Sequence, residues 1–86
     1  MVEVRIDLKD RHLKLSAIES ADVCITAKKF SSFSFIKCGK RLANLKDIAE
    51  IMCFNADENH TMSLYAVGID EVKAILELEN KIKLYI

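Results

Sequence analysis

Residues 2–8 alternate between apolar and charged side chains. The apolar ones are Val2, Val4, Ile6 and Leu8, and every side chain between them is charged. Because successive side chains of a strand point to opposite faces, this period of two predicts a strand with one buried face. The other face is predicted to be wet, as are the Ser, Thr, Lys and Glu side chains that interrupt the later apolar segments. The pattern therefore favours a sheet that is covered on one side only.

The composition indicates one small domain over residues 1–86, since 86 residues leave room for no more. Lys and Arg (13) balance Asp and Glu (13), so no bulk charge attracts nucleic acid or anionic lipid. No run of about 18 apolar residues predicts a membrane span, and residues 1–7 lack the apolar stretch of a signal peptide. Two glycines and no proline leave few loops of the kind that carries an active site, which argues against an enzyme.

The three cysteines, Cys24, Cys38 and Cys53, form no C-x-x-C pair. This odd number favours thiols in a reducing compartment, so we expect a cytoplasmic protein with no disulfide, no metal site and no cofactor. Cys24 and Cys53 are predicted to lie on buried helix faces. Cys38, beside a turn, is predicted to be exposed.

Four strands and three helices follow from the spacing of the apolar residues. The predicted strands cover residues 2–8, 32–38, 40–43 and 61–66, and the predicted helices begin near Ser16, Asp47 and Asp70. Ser16 or Ser20 caps the first helix. The apolar stripe of this helix is predicted from Ile18, Ala21 and Ile25, with Cys24 as a further candidate. The order β-α-β-β-α-β-α predicts an α+β open-faced sandwich, a four-stranded antiparallel sheet with three helices on one face.

Three segments match sequence motifs of one bacterial protein family. Residues 44–54 read N-L-K-D-I-A-E-I-M-C-F, close to a family helix that reads N-(L/A)-K-S-I-M-x-(V/I)-M-S-L. Residues 62–71 are similar to the family strand that ends in G-x-D-E, and residues 26–30 are similar to a helix end, T-A-S-K-(F/Y). On these residues the chain resembles the HPr phosphocarrier family of the bacterial sugar phosphotransferase system. The likeness covers residues 16–82 and implies the HPr-like fold, with phosphotransferase-system or carbon-regulation proteins as partners.

The chain departs from the family pattern at the site of phosphate transfer. The family loop reads G-(I/L)-H-x-R-P-A; its His takes phosphate from enzyme I, and its Arg and the helix N-terminus hold the phosphoryl group. The register is counted back from Phe30. It places Ser16 at the His position, Ile18 at the Arg position and Glu19 at the Pro position. Isoleucine does not bind phosphate and a carboxylate in the first turn repels it, so the resemblance implies a divergent, non-catalytic relative.

A second alignment gives the family histidine a different place. Residues 11–14 read R-H-L-K and imitate the H-x-R pattern, with Lys14 in the Arg position. This alignment needs four extra residues before Thr26 and still lacks the proline. It leaves open a functional phosphocarrier that accepts phosphate on His12 with help from Lys14. The simpler interpretation of His12 is a surface histidine in a turn, and His60, after an acidic loop, is given no catalytic role.

Asp47 stands where the family, in Gram-positive bacteria, has a regulatory serine at the start of its second helix. A carboxylate carries one negative charge, against about 1.5 to 2 on phosphoserine. Asp47 is either a permanent partial mimic of the phosphorylated state or an ordinary helix N-cap, and capping alone explains it. The helix is predicted to end near Phe54. Asn55 and Asn59 replace two family glycines, and asparagine is the other residue that tolerates a left-handed backbone.

The family's partners bind an apolar patch on the first two helices and the loop before them. The matching positions in the second helix are Ile48, Ala49, Ile51, Met52 and Phe54, and part of this set is expected in the core. We therefore predict a regulatory, protein-binding relative of the phosphocarrier that binds neither nucleic acid nor membrane. A homodimer is the third interpretation, formed through exposed apolar side chains of this set or by exchange of the first strand.

Overall fold

Two layers make up the molecule, a sheet and a set of helices on one of its faces. The computed structural model describes residues 1–9, 11–56 and 61–86. The strands in this part of the chain are β1 (Val2–Asp7), β2 (Leu13–Lys14), β3 (Phe33–Cys38), β4 (Arg41–Asn44), β5 (Asn55–Ala56) and β6 (Thr61–Val67). The helices in the same ranges are α1 (Ala17–Lys28), α2 (Ile48–Cys53) and α3 (Glu71–Lys83).

The main sheet of the described residues has the order β1-β6-β3-β4, and all of its neighbouring strands are antiparallel. In the register of β1 against β6, Val4 lies opposite Leu64 and Ile6 lies opposite Met62, so these side chains meet on the covered face. The predicted open-faced α+β sandwich is confirmed. The short strands β2 and β5 pair with each other and were outside the prediction, because two residues show no periodicity.

The core lies between the sheet and the helices. α3 packs across β1 and β6, and α1 packs against both α2 and α3. The largest side chains that are almost fully buried are Leu8, Leu13, Leu45, Met62, Leu64, Leu78, Ile82 and Val23. The alternating strands supply the sheet side of this core, as the period of two predicts.

The buried face of α1 differs from the predicted stripe. Ile18 and Ile25 are exposed, at 84% and 62%. The residues of α1 that face the core are Ser20, Val23, Cys24, Thr26 and Ala27. Their spacing is helical, but serine and threonine are among them, so a stripe drawn from apolar residues alone includes Cys24 correctly and places Ile18 and Ile25 on the wrong face.

β3 presents its aromatic side chains to the open face of the sheet. Ser34 and Ile36 are buried under the helices. Phe33 is 69% exposed, and Phe35 is half-buried on the same side. The register sets this orientation, because Ile36 lies opposite Leu64 and a shift of one residue would invert every side chain of β3. The expectation of a polar open face is therefore correct for β1 and wrong for β3.

A polar cluster ties the start of β3 to the start of α3. The Asp70 carboxylate accepts hydrogen bonds from the amides of Ser31 and Ser32, each at 2.9 Å, and from the Ser32 hydroxyl. This hydroxyl, with the Ser31 and Ser32 amides, holds the pKa of Asp70 below its usual value. Gly68, whose φ is +150°, lies directly against Ser32. The loop before β3 and the loop after β6 are thus packed against each other without room for an added side chain.

Two of the three cysteines lie in environments that the sequence did not predict. Cys24 is buried, as predicted, but Cys38 is buried and Cys53 is exposed. Cys38 is the last residue of β3 and lies two positions after the buried Ile36. Its side chain therefore points to the same, covered face of the sheet. Cys53 is the last residue of α2, a helix whose buried side is formed by Ile51.

Candidate functional site

Residues 12–16 lead into α1 as an extended segment. Leu13 and Leu15 are buried, whereas His12, Lys14 and Ser16 are exposed. β2 holds the segment in place by pairing with β5. This alternation places the three exposed side chains in one row along the surface. His12 lies at the far end of the row and Ser16 lies at the helix, with at most about 14 Å of extended chain between them.

Ser16 is the N-cap of α1, and Glu19 completes a capping box with it. The Ser16 hydroxyl accepts a hydrogen bond from the Glu19 amide at 3.2 Å, and the Glu19 carboxylate accepts one from the Ser16 amide at 2.9 Å. Of the two predicted caps Ser16 is correct, since Ser20 is buried within the helix. The S-x-x-E spacing of residues 16–19 is the sequence signal for this reciprocal pair and extends the simple cap prediction.

The first turn of α1 is poorly suited to an anion. Residues 16–20 contain one acidic and no basic side chain, and Ile18 is almost fully exposed beside them. The amides of a helix N-terminus attract phosphate when they are unoccupied. Here the Glu19 carboxylate already lies at this end, where a second negative charge would be repelled. The three positions that differ from the family pattern thus meet in one helical turn.

Lys14 contacts α2 and not the end of α1. Its Nζ donates a hydrogen bond to the carbonyl oxygen of Met52 at 3.1 Å. This bond fixes the row of exposed residues against the last turn of α2, where carbonyl groups favour a cation. The role of Lys14 as an assistant to His12 stays a prediction, and in this structure its amine has a different partner.

Asp47 is the N-cap of α2, as the sequence predicts. Its carboxylate accepts hydrogen bonds from the amides of Ala49 and Glu50, at 3.0 and 3.2 Å. The Glu50 carboxylate turns back to accept a hydrogen bond from the Asn44 amide at 3.0 Å. Capping accounts for the geometry of Asp47, and its role as a mimic of phosphoserine stays a prediction.

The predicted partner patch is smaller than the sequence indicates. Ile51 and Phe54 are buried, at 3% and 6% exposure, because α2 turns this side to the core. Ile48 and Met52 are about two-fifths exposed, and Ala49 lies on the surface with them. We call these three residues the α2 surface. The inclusion of Ile51 and Phe54 in a docking patch is therefore corrected, while the role of the α2 surface stays a prediction.

The other candidate features contribute little to a site. Asn55 lies in β5, and its carbonyl oxygen accepts a hydrogen bond from Arg41 Nη1 at 3.1 Å. Asn59 and His60 lie outside the described residues. Within residues 1–9, 11–56 and 61–86, no three His, Cys, Asp or Glu side chains are grouped so that they could hold a metal ion. Nor does any helix in these ranges have the length and apolar character needed to cross a bilayer.

Comparison with known proteins places this geometry in a family. A family model described as the PTS HPr component phosphorylation site matches residues 3–83. Among solved structures, HPr-C-His from Thermoanaerobacter tengcongensis is 34% identical with a TM-score of 0.79, and the match covers 96% of this chain and 92% of that one. A search of curated protein sequences gives no match.

Two further similar structures are described as dimers. The HPr dimer from Thermoanaerobacter tengcongensis is 34% identical with a TM-score of 0.69, over 98% of this chain and 95% of that one. The catabolite repression protein Crh from Bacillus subtilis is 26% identical with a TM-score of 0.74, over 100% of this chain and 93% of that one. The Crh structure is described as an intertwined dimer with a swapped domain.

Proposed function

The chain belongs to the HPr family of the bacterial phosphotransferase system, and we propose that it is a regulatory, protein-binding member that does not carry a phosphoryl group. Proteins of this family are phosphocarriers and not enzymes. In this role the protein keeps the family fold and a partner surface on its helices, and it lacks only the phosphate transfer.

The capping box at the start of α1 is the observation that supports this proposal. Phosphate transfer in the family needs an imidazole beside the helix amides, and this chain has the Ser16 hydroxyl there. A hydroxyl is a weak nucleophile unless a neighbouring base activates it. The neighbouring Glu19 carboxylate is occupied by the Ser16 amide and would repel an incoming phosphoryl group. Both the acceptor and the anion site are therefore changed.

Phosphate transfer from phosphoenolpyruvate through enzyme I is the direct test. We expect no acid-labile phosphate on the wild type in a reaction that labels an ordinary HPr. His12→Ala is the companion variant, because His12 is exposed and its truncation leaves the core unchanged. Label on the wild type that disappears in His12→Ala would contradict the proposal and make His12 the phosphate acceptor. Label on both proteins would contradict it as well and would indicate a different acceptor.

Binding of a partner is expected to depend on the α2 surface. Ile48→Ala removes one of its two larger side chains, and truncation of such a contact typically weakens binding by roughly tenfold. Val72→Ala on α3 is the matched control, since Val72 is also exposed. Asp47→Ser removes a charge and keeps a capping side chain, so it separates a charge effect from a loss of the helix.

The measurement is the affinity of each variant for phosphotransferase-system and carbon-regulation proteins, with the circular dichroism spectrum as a test of folding. Equal affinities of the wild type and Ile48→Ala would contradict the assignment of the α2 surface. Weakening by Asp47→Ser in a folded protein would support the interpretation of Asp47 as a charge mimic. Unchanged binding would leave Asp47 with capping as its only role.

A homodimer is the second candidate, and one feature of the sheet favours it. Among the strands that the structure describes, β1 is an edge strand that pairs with β6 alone, so its exchange between two copies breaks a single ladder. The dimers described for the related HPr and Crh structures agree with this tendency. In this candidate the two copies exchange equivalent strands about a twofold axis.

A further inference from the structure

The open face of the sheet carries an unusual set of large side chains. We call them the open-face patch: Phe33, Phe35, Leu42, Tyr65 and Val67. Phe33 lies opposite Val67 in the β3–β6 register, and the rings of Phe35 and Tyr65 stack with their centroids 4.8 Å apart. Phe33, Phe35, Leu42 and Val67 also line a groove of about 370 Å³. The patch thus runs across β6, β3 and β4 as one continuous surface.

The exposure of these apolar side chains does not stabilise the isolated chain. Phe33 is 69% exposed and Leu42 is 59% exposed, so their apolar surface contributes little to the stability of the monomer. The same strand buries Ser34, whose hydroxyl has no hydrogen-bond partner among the described residues. A strand with aromatic side chains on its wet face and a serine on its dry face is typical of a sheet whose wet face becomes covered.

We propose that the open-face patch binds the same patch of a second copy of this chain, in a twofold-symmetric dimer. The inference goes beyond the proposed function, because the open-face patch shares no residue with the α2 surface. It also differs from exchange of β1, since each chain keeps all of its own strands. Two sheets that pack face to face lie about 10 Å apart with interdigitating side chains, which is the contact that this patch offers.

The charges on the open face favour a second copy over a polyanion. Beside the patch, the face carries Glu3 and Asp7 together with Arg5 and Lys37, and the Glu50 carboxylate at the rim of the groove adds a third negative group. A single-stranded nucleic acid needs an excess of positive charge along its path, and this face has none. The whole chain has a formal net charge of zero, so two copies do not repel each other.

The shape of the patch is self-complementary. An isologous contact requires a projecting group and its receptor on the same surface. Phe33 is largely exposed and forms one wall of the groove, whose other apolar walls are Phe35, Leu42 and Val67 and whose polar rim is formed by Asn44 and Glu50. About a twofold axis, each Phe33 fills the groove of the other copy. The sheet measures about 20 by 20 Å from the usual strand spacings, so two facing sheets cover roughly 800 Å² in total. This is the size of a weak, transient contact, and we expect a dissociation constant no tighter than the micromolar range.

Sedimentation velocity of the purified chain between about 1 and 300 μM covers the expected dissociation constant. Phe33→Ser with Leu42→Ser is the test variant, because both side chains are exposed and their loss does not disturb the core. Val72→Ser with Leu76→Ser is the matched control, at 58% and 54% exposure on the outer side of α3. We expect the wild type and the control to dimerise, and the test variant to need at least tenfold higher concentration, with unchanged circular dichroism.

Three results would overturn the proposal. The first is a wild type that stays monomeric over the whole range. If single-stranded oligothymidine then quenches tyrosine fluorescence in a Tyr85→Phe variant, where only Tyr65 emits, the face would be assigned to nucleic acid. A dimer that the Phe33 and Leu42 substitutions leave intact, and that Met52→Ser dissolves, would lie on the α2 surface. A dimer that survives every substitution would indicate exchange of β1. The phosphate assay concerns a different surface, so its result and this one are independent.

Discussion

Gly68→Ala is expected to lower the free energy of unfolding by about 3 kcal/mol, through backbone strain and overpacking together. The φ of Gly68 is +150°, a conformation that residues with a Cβ rarely adopt. A Cβ at this position would lie 2.6 Å from Ser32 Oγ and 2.7 Å from Ser32 Cα. The second of these atoms belongs to the main chain, so a change of rotamer does not relieve the clash.

Ser32 is also held from the other side, which makes the strain difficult to release. Its amide and hydroxyl both donate to the Asp70 carboxylate, so a shift of Ser32 away from residue 68 stretches these bonds. Gly39→Ala is the control, because Gly39 has a φ of +62° but nothing within 4 Å of an added Cβ. We expect it to cost about 1 kcal/mol, from the backbone conformation alone. Urea unfolding followed by circular dichroism measures both values, and equal losses would show that the contact with Ser32 is unimportant.

The elements that the sequence predicts well are those whose local signals agree with their tertiary environment. β1 and β6 alternate cleanly, and the apolar residues from which they are predicted face the helices, as in the pairing of Val4 with Leu64. α2 begins with an aspartate that caps it, and the cap depends on residues within three positions of Asp47. Such short-range interactions can be predicted from sequence because no distant contact competes with them.

The incorrect predictions of buried side chains arise where a contact between residues far apart in the sequence determines which face is buried. Phe33 and Ser34 alternate as a strand requires, but alternation does not say which face is buried. The pairing of Ile36 with Leu64 across the sheet decides it, and it turns the phenylalanine outward. In α1 the buried position of Ser20 depends on the packing of this helix against α2 and α3, which an apolar stripe does not predict. The division of α2 between core and surface, with Ile51 inside and Met52 outside, likewise depends on the packing of the helix.

The sequence predicts those parts of the candidate site whose interactions join residues close together in the chain. The S-x-x-E spacing places the Ser16 cap and the Glu19 carboxylate in one turn, and the structure has both. The hydrogen bond from Lys14 to the Met52 carbonyl joins residues 38 positions apart and has no sequence signal. That bond holds Lys14 at α2, and the choice between the two alignments of the family histidine stays a prediction.

A variant that carries Ser16→His, Ile18→Arg and Glu19→Pro is expected to accept phosphate from enzyme I, and the wild type is expected not to. The three substitutions restore the family pattern H-x-R-P at the start of α1. Arginine supplies charge-assisted hydrogen bonds to the phosphoryl group, and proline is well tolerated in the first turn of a helix. Ser16 and Ile18 are exposed and Glu19 is half-buried, so the core of the protein is largely undisturbed.

The single variant Ser16→His separates the acceptor from its environment. It supplies an imidazole but keeps Glu19, whose carboxylate faces the phosphoryl group across the first turn. Repulsion between these charges at a few ångströms is large enough to lower labelling by roughly tenfold relative to the triple variant. The measurement is acid-labile phosphate on wild type, single and triple variants under one set of conditions. A folded triple variant that stays unlabelled would show that the first turn of α1 is not what prevents transfer, since acceptor, cation and helix start would all be in place.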